Sequence, residues 1–245
     1  VAYSQIKGII FDLGSTLVEF ESRSWEEITY DGQKLVYDHL TDSDHRLPDF
    51  ATFNTRLEEI KEGYRVIARE TLREWRSVNA FEKLLAEYGL DNPREQGRRS
   101  AEVFYSLVRD GFVLCEGAVE TLQEVKRRGY KTGLISNTIF PREAHETDLG
   151  NFGLLPYIDF RVYSSDFGFR KPHRSIYEEG MRLIGLPPRQ TLFVGDRYYE
   201  DVEGPQKVGM AAVLKYREGR EYPDPMPPGL PVIHRLSELL DIIDA

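Results

Sequence analysis

The sequence predicts an α/β fold: a doubly wound, Rossmann-like parallel sheet with an all-helical cap domain inserted into it. Two observations lead there. Short apolar runs that end in turn-forming or polar residues alternate with helical patterns over most of the chain, and one long stretch near its start carries helical patterns alone. The apolar runs are "IKGIIFDLG", "YKTGLISN", "DFRVYSS", "TLFVGD" and "AAVLKY". Most are near-continuous, without in/out alternation, as expected for strands of a parallel sheet covered on both faces.

Between the strands, "GAVETLQEVKRRG" runs from Gly117 to Gly129 as a helical pattern, with basic residues in its last turn and a glycine just past its end. "HRSIYEEGMRLIGL" is a second helix, and "PPRQ" leads from it into the next strand. Near the C-terminus "EYPDPMPPGLP", with its five prolines, reads as an extended surface connector, and "PVIHRLSELLDII" supplies a short strand and a closing helix. The insert is marked by Leu57, Ile60, Tyr64, Ile67, Leu72 and Trp75, spaced three to five residues apart among Arg, Glu and Lys. "AFEKLLAEYGL" and "PREQGRRSAEVFYSLVRD" add two more helices, and no strong strand candidate falls in this span. Residues 1–17 and 111–245 are therefore expected to form the core domain, and 18–110 the helical cap.

Composition narrows the class of function. The 245 residues are 40% hydrophobic and 30% charged, the balance of a globular protein with a sizeable core. A net charge of −9 argues against a nucleic-acid partner, which needs a basic face. No apolar run approaches a membrane span and no basic-then-apolar leader opens the sequence, so a cytoplasmic protein without a membrane partner is expected. The single cysteine, Cys115, excludes an intrachain disulfide and is expected to be a buried structural thiol.

Polar clusters stand at the C-terminal ends of predicted strands: Asp12, Ser136-Asn137, Lys171, and Asp196 with Asp201. In an open α/β sheet those ends form the ligand crevice. Three carboxylates, a hydroxyl and a lysine converging there point to a cation held together with an anionic group. Magnesium, which takes oxygen ligands and bridges to substrate phosphates, fits that set.

These motifs resemble those of the haloacid dehalogenase (HAD) superfamily, in order and over essentially the whole chain. "IIFDLGSTLV" resembles its first block, hhhDxDGTLh, except at two positions; "LISNT" resembles the second, "SSDFGFRKPHRSIY" the segment around the third-motif lysine, and "LFVGDRYYEDVEG" the Gly-Asp-x4-Asp motif. The resemblance implies that Asp12 is the nucleophile that forms an aspartyl-phosphate. It implies that Ser136 binds a phosphoryl oxygen with help from the Asn137 backbone, that Thr16 orients the nucleophile loop, and that Lys171 balances the accumulating charge. Asp12, Asp196, Asp201 and the Gly14 carbonyl would hold Mg2+, and the cap would set specificity for a small phosphorylated substrate.

Gly14 departs from the pattern. The family's second aspartate protonates the leaving oxygen and later activates water, while its backbone carbonyl serves the metal. Glycine keeps only the carbonyl. General acid–base catalysis is typically worth ~10²–10⁴-fold, so a weakened phosphatase is the expected activity. Ser15 is too weak an acid to substitute, and Glu19 or Glu21 would have to swing in. The alternatives are an inactive homologue that binds a phosphometabolite or a partner, and a hydrolase of C–halogen or C–P bonds. By the same resemblance, C–P cleavage would need a Schiff-base lysine, for which Lys34 and Lys61 are available without a matching motif. Of the histidines, His39 and His45 lie in the cap, and His173 is placed to reach a phosphate.

Overall fold

In the computed structural model, which describes residues 3–20, 24–42 and 46–243, every predicted strand forms. Glu21 and His45 lie outside the described residues. Strand β1 (Gly8–Phe11) is followed by β2 (Val18–Phe20) and four helices, α1 (Trp25–Asp42), α2 (Phe50–Thr71), α3 (Ser77–Glu87) and α4 (Pro93–Asp110). Next come β3 (Phe112–Leu114), α5 (Ala118–Arg127), β4 (Lys131–Ser136), α6 (Arg142–Asn151), β5 (Phe160–Tyr163), α7 (Ser164–Phe167) and α8 (Arg174–Ile184). The chain closes with β6 (Thr191–Gly195), α9 (Gly204–Lys207), β7 (Ala211–Lys215), β8 (Val232–Ile233) and α10 (Leu239–Ile243).

Six strands form one sheet in the order β5-β4-β1-β6-β7-β8, and every adjacent pair is parallel. This is the Rossmann-like strand order, in which the direction of winding reverses between β1 and β6. Side chains on β1, β6 and β7 are buried throughout, which is why their sequence reads as unbroken apolar runs. The carboxyl ends of β1 and β6 meet at the switch point, and Asp12 and Asp196 are the residues that follow them.

Cα packing divides the chain into two units, residues 1–19, 113–138 and 146–245, and residues 20–112 with 139–145. The short sheet formed by β2 and β3 marks where the chain passes from the first unit into the second and back. The sequence reading counts 139–145 with the core domain, whereas in the structure this segment packs with the helices. Phe140 explains it: its ring meets Tyr105 edge-on at 4.7 Å and stacks on Phe104 at 5.8 Å, and Ser77 N–H donates to the Ile139 carbonyl at 2.9 Å.

Four helices, α1, α6 and the four-residue α7 and α9, have no counterpart in the sequence reading. The buried face of α1 mixes Ile28, Val36 and Leu40 with Gly32 and Gln33, so no clean apolar stripe announces it. Gly32 is needed there, because a Cβ would press into the Phe104 ring of α4. Cys115 is half-buried, not buried as expected, and its burial raises the thiol pKa. The proline-rich segment is more than a connector: Tyr222, Met226 and Leu230 pack on the buried Val202, Ala212 and Leu214.

His145, in the helical unit, is buried with its Nδ1 3.1 Å from the Tyr105 hydroxyl. Burial, reinforced by the Arg109 charge, lowers its pKa from 6.5 to about 4. The unfolded chain takes up that proton near the ordinary value and the folded chain resists it, so stability falls as pH drops between the two. The shift corresponds to roughly 3 kcal/mol at the acid end. Urea unfolding at stepwise lower pH is expected to show this slope, and His145→Gln is expected to flatten it between pH 6.5 and 4.

Candidate active site

Four of the predicted residues are drawn together at the switch point. Asp12, Asp196 and Asp201 are buried, and one carboxylate oxygen from each lies within 4.8 Å of the others. Lys171 reaches into this group from the loop between α7 and α8, its Nζ donating to Asp12 Oδ1 and Asp201 Oδ1 at 2.6 Å each. It also stands over the Phe193 ring, 5.1 Å from the centroid. Lys171 therefore does not sit at the end of β5, as its motif implies, but seven residues beyond Ser164, where the strand has already given way to helix.

Local structure aims each group. Asp12 is fixed at the end of β1 by its N–H, which donates to the Val194 carbonyl of β6 at 2.9 Å. Asp201 lies in a π-helical turn, Tyr198–Glu203, and its Oδ2 accepts the Arg197 N–H at 2.9 Å. The turn can lie so close to the sheet because residue 195 is glycine; a Cβ there would collide with the Asp201 side chain. Phe11 is level with Leu134, so the strand ends carrying Asp12 and Ser136 are neighbours.

Asn137 has a task the sequence does not announce. Its side-chain Oδ1 accepts the Lys171 N–H at 2.7 Å and its Nδ2 donates to the Lys171 carbonyl at 3.0 Å, clamping the backbone that presents the lysine. Thr16 is buried with its N–H on the Leu13 carbonyl at 3.3 Å, while its hydroxyl has no partner among the described residues. His173 is occupied: its Nδ1 accepts the Ser175 N–H at the start of α8, and its ring stacks on Phe169 at 4.0 Å. Lys34 and Lys61 are ion-paired within the helical unit, to Asp38 and Glu58 respectively.

Electrostatics follow from burial. Burial alone would lower the Lys171 pKa, but the adjacent Asp12 and Asp201 carboxylates reverse this and raise it, so the ammonium form is firmly held. Burial raises Asp201 to about 7 against the pull of Lys171, with the negative charges of Asp12 and Asp196 adding to the rise. Asp196 is raised for the same first reason, burial, and by Asp12. Carboxylates crowded and desolvated in this way are held ionised most readily by a further cation. Asp196 Oδ1 meets that need directly: it is buried and has no hydrogen-bond partner. The donor set of three carboxylates with one orphaned oxygen fits a hard divalent cation such as magnesium.

The first-motif loop is open where the second aspartate is missing. Gly14 is exposed, its φ lies outside the left-handed region, and a Cβ built on it meets nothing within 4 Å. Ser15, at the family's glycine position, adopts φ 58° and is held there by Lys215, whose Nζ donates to its carbonyl at 2.8 Å. Glu19 is no free substitute for the lost acid. Arg217 grips both its oxygens at 2.7 and 3.0 Å, and the Ser15 hydroxyl donates to it at 3.3 Å.

With this geometry in hand, comparison with known proteins is decisive about the family. The model of haloacid dehalogenase-like hydrolases matches residues 6–209. The chain belongs to that family. A glyceraldehyde 3-phosphate phosphatase of Methanocaldococcus jannaschii is 32% identical over 131 residues, 51% of this chain and 54% of the relative. The enzyme of that name from Methanopyrus kandleri is 26% identical over 97% of both chains. The matched region thus spans about half the length of the M. jannaschii relative, and nearly all of the M. kandleri one. Among solved structures, a 2-haloacid dehalogenase from Pseudomonas syringae shares the fold of the HAD superfamily with this protein at a TM-score of 0.71, with 22% identity and 98% of each chain covered.

Residues 217–222, of which the sequence reading covers only Glu221 and Tyr222, as the start of a connector, also reach this cluster. Arg220 Nε donates to Asp196 Oδ2 at 2.7 Å, and the Tyr222 hydroxyl lies 3.1 Å from the Asp196 carbonyl. The available signal is positional: these residues follow β7, whose carboxyl end opens on the same crevice.

If Lys171 is the charge that allows Asp12 and Asp201 to be buried together, Lys171→Met leaves both uncompensated. Removing one partner of a buried ion pair typically costs about 3–5 kcal/mol. A loss of that size is expected in urea unfolding at pH 8 in EDTA; a change under 1 kcal/mol would mean that burial of these carboxylates does not depend on the lysine.

Proposed function

We propose that the protein is a magnesium-dependent phosphatase of small phosphorylated metabolites, acting through an aspartyl-phosphate on Asp12, with turnover held back by the absence of an acid–base group at position 14. The observation that carries this reading is the Asp12–Lys171–Asp201 bridge beside the orphaned oxygen of Asp196. The phosphatase names of the relatives support the substrate class.

In the first step an Asp12 oxygen attacks phosphorus as the bond to the leaving oxygen breaks. Lys171 stays protonated beside Asp12 and offsets charge on the transferring group. The leaving oxygen takes its proton from water, since residue 14 offers none. In the second step water attacks the aspartyl-phosphate, inorganic phosphate departs, and Asp12 is restored as a carboxylate. Ser136 and the Asn137 N–H are assigned to the phosphoryl oxygens, and the unpartnered Thr16 hydroxyl to the nucleophile loop. Asp12, Asp196, Asp201 and the Gly14 carbonyl would hold Mg2+, which supplies positive charge to the phosphoryl oxygens when bound.

An aryl leaving group scarcely needs protonation, so the first step survives the loss of the acid and the second does not. Rapid mixing with 4-nitrophenyl phosphate and Mg2+ is expected to give a burst of about one equivalent and then slow turnover. Because the space beside residue 14 is open, Gly14→Asp is expected to accelerate the slow phase by about 10²-fold or more. Asp12→Asn is expected to abolish the burst. Absence of both burst and turnover in the wild type, with inorganic phosphate still bound, would favour the binding-protein reading instead.

A further inference from the structure

The group that most needs an explanation is Arg220. It belongs to none of the family motifs, yet its guanidinium lies on Asp196, one of the carboxylates assigned to the metal, with Nε 2.7 Å from Oδ2. Its Nη2 lies 3.3 Å from the Ser15 hydroxyl, next to Gly14. The placement is built rather than incidental. Tyr222 accepts the Arg217 N–H at 2.9 Å and reaches the Asp196 carbonyl, while Arg217 is bonded through two nitrogens to Glu19. The segment that carries Arg220 is thereby tied to the loops after both β1 and β6.

The Asp196 side chain is 1% exposed; its backbone carbonyl accepts from Tyr222, and its Oδ2 accepts from Arg220. Besides that hydrogen bond, the arginine contributes charge. Asp12, Asp196 and Asp201 bring three negative charges, and Lys171 and Arg220 bring two positive ones. Gly14 subtracts one further carboxylate that the family pattern would supply. A divalent cation entering this set meets a net charge of only about −1, and bound there it leaves a net positive site that favours an anion.

We propose that Arg220 is a resident counter-cation on the metal-binding carboxylate Asp196, so that the divalent metal is held weakly by the protein alone and firmly only together with a phosphate dianion. The inference rests on the metal-site reading above. It makes Arg220 a positioning residue for metal and substrate charge, acting through Asp196.

The test is Mn2+ binding measured by electron paramagnetic resonance, with and without inorganic phosphate, in wild type and Arg220→Met. Removing the guanidinium is expected to tighten Mn2+ about tenfold without phosphate and to shrink the gain that phosphate gives. In wild type alone, saturating phosphate is expected to tighten Mn2+ by a similar factor, which keeps the proposal testable if the variant does not fold. Mn2+ bound equally tightly by wild type with and without phosphate would overturn the proposal, as would an Arg220→Met protein that folds and binds Mn2+ no better. If neither protein binds Mn2+ under either condition, the metal-site reading itself falls.

Discussion

The site depends on one bridge: the Lys171 ammonium held between Asp12 and Asp201 in a place with almost no water. Three desolvated carboxylates repel one another and favour taking up protons, and a buried lysine on its own favours losing one. Lys171 opposes the first tendency, and Asp12 and Asp201 hold its ammonium form in return. The same bridge gives Asp12 a fixed partner for its charge, as the nucleophile role proposed for it requires. Around it, smaller contacts serve the same end: Asn137 clamps the backbone of Lys171, Gly195 makes room for Asp201, and Arg220 covers the outer oxygen of Asp196.

The sheet is what brings these groups to one place. Asp12 and Asp196 directly follow adjacent parallel strands whose ends differ by one residue, Phe11 being level with Val194, so the sheet itself brings the two together. Asp201, in a helical turn, and Lys171, in the loop between α7 and α8, lie beyond the strands and need additional anchors, the Arg197 N–H and Asn137 respectively. This division separates what the fold provides from what individual side chains must hold in place. It also locates the consequence of Gly14. The glycine leaves the carboxylate–lysine bridge intact and opens the loop beside it, so under the proposed function binding of an anion and turnover of a phosphoester are separable.

Much of this was legible in the amino-acid sequence, for a physical reason. Parallel strands covered on both faces must be apolar along their whole length, so "GIIF", "TLFVG" and "AAVLK" stand out, and the polar residues that end them stand out equally. Helix α1 was hidden because its buried face includes Gly32 and Gln33. Proximity in sequence places residues 139–145 with the core domain, and it is one aromatic ring, Phe140, that takes them to the helices. Arg217, Arg220 and Tyr222 escaped notice because a loop has no period to read, and because the prolines that follow them invite the reading of a spacer. The roles of Asn137 and His173 depend on which atom faces which neighbour, and spacing does not encode that.

Asp12, Lys171 and the Asp196–Asp201 pair are proposed to form a phosphoryl site that works with a divalent metal. Beryllium trifluoride, which mimics a phosphoryl group on a carboxylate, tests it without requiring turnover, so Gly14 does not complicate the answer. In 19F nuclear magnetic resonance with Mg2+ present, the account predicts bound fluorine signals that vanish in Asp12→Asn and on adding EDTA. No bound signal in the wild type, or a signal that survives both treatments, would contradict it.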